Sequence, residues 1–146
     1  MTESYKIILT SSFTIFGSIF VYTMGQIISK FFIEPIHEQS RCIGEIANGL
    51  IFYAKFYANP GTNKPEDENR AVETLRQHAS LLISKTHIIR WYALFEFFGF
   101  VPKRKAIGKS VLELIRLSNS VSHGDSLLNN TTRQKIVELL NIKIYG

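Results

Sequence analysis

The chain reads as all-α, with one N-terminal transmembrane helix followed by a small bundle of four to five helices. Three observations predict this. The 23 residues from Ile7 to Ser29 carry no charge. Beyond them, apolar residues recur at spacings of three, four and seven, the period of a helix with one buried face. Turn formers such as Asn59-Pro60-Gly61 and Gly99 to Pro102 separate these periodic segments, and no run alternates as a half-buried strand would. No internal repeat or low-complexity segment interrupts the pattern.

The uncharged run IILTSSFTIFGSIFVYTMGQIIS would span about 34 Å as a helix, against a hydrocarbon core of about 30 Å, so it suits one crossing. Tyr5 and Lys6 at one end, and Lys30, Phe31 and Phe32 at the other, are the aromatic and cationic residues expected at the two interfaces. A cleaved signal peptide fits less well, because the amino end is barely basic, the apolar run is long and no small-residue cleavage site follows. A buried helix of a soluble protein is the remaining alternative, since the run contains Ser and Thr. The resulting division is a short tail at 1–6, a membrane helix at 7–29 and a helical soluble domain at 30–146.

Within the span, Ser11, Thr14, Ser18 and Gly25 share one helical stripe with Ser29, while Phe13, Phe16, Phe20, Met24, Ile27 and Phe31 occupy another. Small and hydroxyl residues favour close helix association in lipid, which makes Ser11, Thr14, Ser18 and Gly25 a candidate seam for a homo-oligomer or for another membrane protein. The opposing reading is that the hydroxyls bond their own i−4 carbonyls and face lipid. Orientation rests on a nearly balanced count, Lys6 against Lys30 and Arg41. The single cysteine and the basic balance beyond the span favour a cytoplasmic domain at a bacterial inner membrane. Two overlapping sequons at Asn129 and Asn130 would matter only in a eukaryotic lumen.

Past the span, Glu34-Pro35 suits a helix start or a kink, and Ile36, Ile43, Ala47, Leu50, Ala54 and Tyr57 mark an amphipathic helix that stops at Asn59-Pro60-Gly61. Pro65 with Glu66, Asp67 and Glu68 predicts the next N-terminus, ahead of Val72, Leu75, Ala79 and Leu82. A short aromatic segment from Ile88 to Phe98 should end near Gly99 and Pro102. A helix over 105–120 should bury Ile107, Val111, Leu114 and Ile115, and a last helix capped by Asn130 should bury Ile136, Val137 and Leu140.

Apolar residues make up 45% of the chain and charged ones 20%, so the domain is far too apolar to stay disordered. A formal charge of +5 lies wholly beyond the span, because Glu3 and Lys6 cancel before it, and this points toward anionic headgroups, nucleotides or RNA. Specific nucleic-acid binding is not expected. His37, His78, His87 and His123 show no metal-ligand spacing, and no phosphate-binding, dinucleotide or serine-nucleophile motif appears. No metal, cofactor or catalytic residue is therefore assigned. His123-Gly124-Asp125 brings an imidazole near a carboxylate but reads better as a turn, and Cys42 beside Ile43 reads as a buried thiol.

The densest unusual stretch runs from Trp91 to Lys109. Trp91, Tyr92, Phe95, Phe97, Phe98 and Phe100 precede Lys103, Arg104, Lys105 and Lys109. Core packing of the rings above a solvated basic loop is the simpler expectation. The sharper one assigns the four cations to anionic lipid, a nucleotide or another phosphate-bearing partner, helped by backbone donors at the following helix start. With FIEPIHEQSRCIGEIANGLIFYA after the span and VPKRKAIGKSVLELIRLSNSV near the end, the organisation resembles that of small bacterial membrane proteins, a resemblance that implies no particular activity. The expected function is a non-enzymatic, single-pass membrane-anchored module that self-associates or recruits a partner. Two alternatives are a ligand-gated oligomeric membrane effector whose bundle binds an anionic signal, and a membrane-tethered hydrolase using His123 and Asp125.

Overall fold

In a computed structural model that describes residues 3–143, helices α1 (Glu3–Ile28) and α2 (Glu34–Phe52) form one uninterrupted rod, joined by a π-helical turn at Ser29–Ile33. The cause of the wide turn is Pro35. It has no N–H to give, and its ring crowds the carbonyl four residues back, that of Phe31. The helix relieves this by taking in one extra residue just ahead of the proline, so that the Glu34 N–H bonds the Ser29 carbonyl. Pro35 therefore neither starts a helix nor breaks one, and the helix passes residue 30 without interruption.

The rod serves two environments. Every described residue of α1 is free of burial, whereas α2 buries Pro35, Gln39, Cys42, Ile46, Gly49 and Leu50 along one face. Past a break at Tyr53 the short α3 (Ala54–Ala58) buries Phe56 and Tyr57, so the helix expected to reach Tyr57 is divided in two. Gly61, at a positive φ of 71°, completes the turn after Asn59-Pro60. Helix α4 (Pro65–Ile88) then returns antiparallel to α2, with Pro65 in its first turn as expected. It claims Ile88, so the aromatic segment shrinks to α5 (Tyr92–Phe97), entered through Trp91 in the left-handed region and left through Gly99 at φ 76°.

Helices α6 (Arg104–Ser120) and α7 (Ser126–Leu139) complete an up-down-up-down bundle of α2, α4, α6 and α7. Its core holds Ile46, Leu50, Leu75, Leu82, Leu114, Leu117 and Ile136, all fully enclosed, and truncating such a leucine to alanine costs about 2 to 5 kcal/mol. Ile107, Val111 and Leu114 are buried as expected, but Ile115 is 40% exposed, because Leu117 and Ser118 take the inward positions of the last turns. Where α2 crosses α4, Gly49 lies under the His78 ring, which an added Cβ would approach to 2.9 Å.

Buried polar groups tie the two ends of the bundle. At the end nearest α1, the Gln39 amide donates to the Thr86 hydroxyl at 2.7 Å and to the Tyr92 hydroxyl at 3.2 Å, and Tyr92 donates onward to the Pro102 carbonyl at 2.6 Å. One glutamine thus joins α2, α4, α5 and the approach to α6. At the far end, the Asn129 amide donates to the Tyr57 carbonyl at 2.9 Å, and its oxygen accepts from the Ser120 hydroxyl at 2.5 Å. The cap of α7 is Asp125, whose carboxylate accepts from the Leu127 N–H at 2.8 Å. Asn130, expected to cap this helix, lies inside it on the exposed side, while its neighbour Asn129 is 1% exposed.

Two measurements check this arrangement. In chemical denaturation, Asn129→Ala should cost about 1 to 3 kcal/mol because it strands buried partners, Asp125→Ala about 1 kcal/mol through the lost cap, and Asn130→Ala no more than about 0.5 kcal/mol. The second concerns His78, whose pKa burial pushes below its ordinary 6.5 against a weaker opposing pull from Glu45. The folded chain holds this ring neutral while the unfolded chain takes up a proton near 6.5, so stability is full above that pH and falls as pH drops toward the lower folded value. His78→Gln should flatten the decline in a pH series of Tm values, and an unchanged decline would assign it to other groups.

Candidate functional site

The candidate seam residues Ser11, Thr14, Ser18 and Gly25 are all exposed on α1, and nothing lies within 4 Å of a Cβ built on Gly25. Thr14 donates to the Thr10 carbonyl at 3.0 Å and Ser18 to the Thr14 carbonyl at 2.8 Å, so these hydroxyls are satisfied within their own helix. Thr10 and Thr23 make the same i−4 bonds. What the stripe offers a second helix is therefore close approach more than unspent donors. The bulky residues opposite, including Phe13 and Phe20, are 73% and 66% exposed.

The aromatic segment departs from the expectation of core packing. Only Tyr92 is buried, at 3% exposure, and Phe95 is half-buried, whereas Trp91, Phe97, Phe98 and Phe100 stand out from the surface. The reason is topological: α5 lies outside the four-helix core, and Ile89, Tyr92 and Val101 with Ile36 suffice to seal the small cluster beneath it. The segment sits where α1 joins the bundle. Phe32 packs against Trp91 and Phe95, with ring centroids 5.4 and 6.3 Å apart, and the Arg90 guanidinium lies 5.6 Å from the Phe31 ring.

The four candidate cations are all exposed, and three of them border different features. Lys103 borders a groove with Ser40, Ile43, Glu96 and Phe100. Arg104 turns its guanidinium onto the Tyr92 ring, 4.9 Å from the centroid. Lys109 borders a different groove between α6 and α7, where Arg116 and Lys135 face Glu113 and Glu138. The first turn of α6 already has an anion: the Glu96 carboxylate accepts from the Arg104 N–H at 3.1 Å. The expected backbone donors for a phosphate are thus partly taken by the chain itself. This partner lies eight positions upstream of Arg104, and its acidic character just before the Gly99 turn was the available sequence signal.

The other chemical candidates lie in different surroundings. Cys42 is buried, and desolvation raises its thiol pKa to about 11, which keeps it protonated and unreactive at neutral pH. His123 is exposed, Asp125 is engaged as the α7 cap, and Gly124 between them leaves no space for a side chain, since a Cβ there would meet the Ser120 carbonyl at 2.4 Å. Among the described residues, no group of three or more His, Cys, Asp and Glu side chains is placed to hold a metal ion.

Replacing Lys103, Arg104, Lys105 and Lys109 together by alanine distinguishes a surface that responds to bilayer charge from a solvated loop. With the full chain in nanodiscs, hydrogen exchange over residues 99–106 should be slower in anionic than in zwitterionic lipid. The quadruple variant should lose that difference, since each cation near an anionic surface contributes about 1 kcal/mol. Equal exchange in the two lipids for the unaltered chain would mark these residues as solvated loop. Comparison with protein-family models, with curated proteins and with solved structures finds no match to this chain.

Proposed function

We propose that this chain is a single-pass, membrane-anchored helical module that acts without catalysis, by self-association or partner recruitment at the inner face of a bacterial membrane. The observation that carries the reading is the contrast along one rod. Helix α1 leaves the bundle with no buried residue, although it is apolar and long enough to cross a membrane, while α2 is buried along a full face. In water α1 would expose Phe13, Phe16, Val21 and Tyr22 at about 70% each. A bilayer supplies what the bundle does not, and the hydroxyls already bonded to their own helix suit that solvent.

Placement of the bundle in the cytoplasm is supported by the single, unpaired Cys42 and by the basic balance beyond the span. The second reading, an oligomeric effector gated by an anionic signal, draws on the groove where Lys109, Arg116 and Lys135 lie together, with Glu113 and Glu138 offsetting part of their charge.

Energy transfer between labelled full-length chains in vesicles tests self-association. Transfer should fall on lipid dilution, and joint Ser18→Leu and Gly25→Leu substitution should weaken association by about 1 to 2 kcal/mol, roughly tenfold, while Phe20→Leu changes it little. In intact bacterial cells, a C-terminal reporter should read cytoplasmic. Equal losses from the two variants, or a monomer at all lipid dilutions, would discard the seam and leave partner recruitment.

A further inference from the structure

We propose that α5 and the loop after it form a second membrane contact, seated in the headgroup region of the leaflet from which α1 emerges. The inference rests on the spanning reading of α1. Trp91, Leu94, Phe97, Phe98 and Phe100 are 68%, 46%, 83%, 61% and 66% exposed within ten consecutive positions. Single exposed apolar residues are ordinary, but a contiguous group of this kind marks a surface with a partner.

The position of the group identifies the partner as lipid. The uncharged run ends at Ser29, so Phe32 stands about 5 Å further along the helix axis, at the level of the headgroups. Trp91 and Phe95 pack directly on Phe32, and Arg90 lies over Phe31, which brings the entry to α5 to that same level. Phe97, Phe98 and Phe100 continue the aromatic surface from there, with centroid separations of 5.4 and 6.3 Å. Aromatic rings flanked by cations are the residues that settle at a bilayer interface, and Lys30, Arg90, Lys103 and Arg104 supply the cations. The one acid of the segment, Glu96, is half-buried and engaged with the Arg104 N–H, so it does not confront anionic headgroups openly. Six helical residues are too few to cross and suffice to lie in the interface plane.

Trp91 is the single tryptophan of the chain and therefore reports its own environment. The full-length protein is reconstituted in phosphatidylcholine vesicles containing phosphatidylglycerol. Its fluorescence is then read with lipids brominated high on the acyl chain and with aqueous iodide. Lipid seating predicts strong quenching by the brominated lipid and iodide quenching several-fold weaker than in the urea-unfolded chain. Phe97→Asp with Phe98→Asp, both at exposed sites and checked by circular dichroism, should lower the brominated-lipid quenching by half or more. Iodide access with no effect of brominated lipid would place α5 in water and overturn the proposal. Protection from both quenchers would show a protein surface over Trp91, whether a second copy or another partner, and would also overturn it. Alkaline carbonate extraction separates the two readings. A chain released from the vesicles ends the spanning reading and this inference together, while one that stays bound but shows no lipid quenching of Trp91 ends this inference alone.

Discussion

The structure depends on a helix that does not stop at Pro35. A proline normally forces a choice between a kink and a terminus, since it withholds one donor and crowds one carbonyl. Here the chain widens by one residue at Ser29–Ile33 and continues, so the segment without buried residues and the first helix of the bundle are one continuous helix. A flexible linker at this point would let the bundle drift relative to α1. A continuous rod keeps the start of α2 fixed at the end of α1, and everything packed on that start shares its position: the Glu38–Lys85 pair, the Gln39 amide, Tyr92 and the aromatic contact at Phe32.

The bundle itself is small, and its leucine-rich centre alone would allow neighbouring helices to slide by a turn. Gln39 and Asn129 oppose this at opposite ends, because each must find the same few partners or remain buried without them, which is costly in a dry interior. The exposed ion pairs contribute little by comparison. Arg41–Glu45 is solvated and Glu38–Lys85 is partly so, although the ammonium of Lys85 does hold the Glu38 carboxyl below its usual 4.5. Specificity of packing thus resides in amides and hydroxyls, and bulk stability in the aliphatic layers.

The period of the apolar residues was enough to read the all-α class, and Pro60-Gly61, Pro65 and Gly99 marked real boundaries because each acts through local backbone geometry. The misreadings share a different cause. Asn129 and Asn130 are adjacent and chemically identical, and the partners that favour burying the first are Ser120 and the Tyr57 carbonyl, 72 residues earlier. The rings of α5 looked like core because bulky residues usually are; that Tyr92 alone among them is buried, sealing the cluster beneath α5 with Ile89, Val101 and Ile36, is a property of the assembled chain. The placement of the four cations is not a misreading but lay beyond the sequence, because it depends on Tyr92 for Arg104 and on the α6–α7 groove for Lys109.

The extra residue in the π turn also sets an angular phase. On an ideal helix the buried face of α2 would sit about 80° from the stripe of Ser11, Thr14, Ser18 and Gly25; inserting one residue rotates it by about 100°, to nearly the opposite side. The bundle then overhangs the side of α1 that carries Phe13, Phe20 and Phe31, in keeping with the Arg90–Phe31 contact. The small-residue stripe is left clear, and it runs on in line with the solvated face of α2, where Gly44 has nothing within 4 Å of an added Cβ. Two rods meeting along that line would carry their bundles outward like signal flags on paired masts, with no collision between them. Deleting one residue from the turn would swing each flag about a quarter of the way round, toward the neighbouring mast.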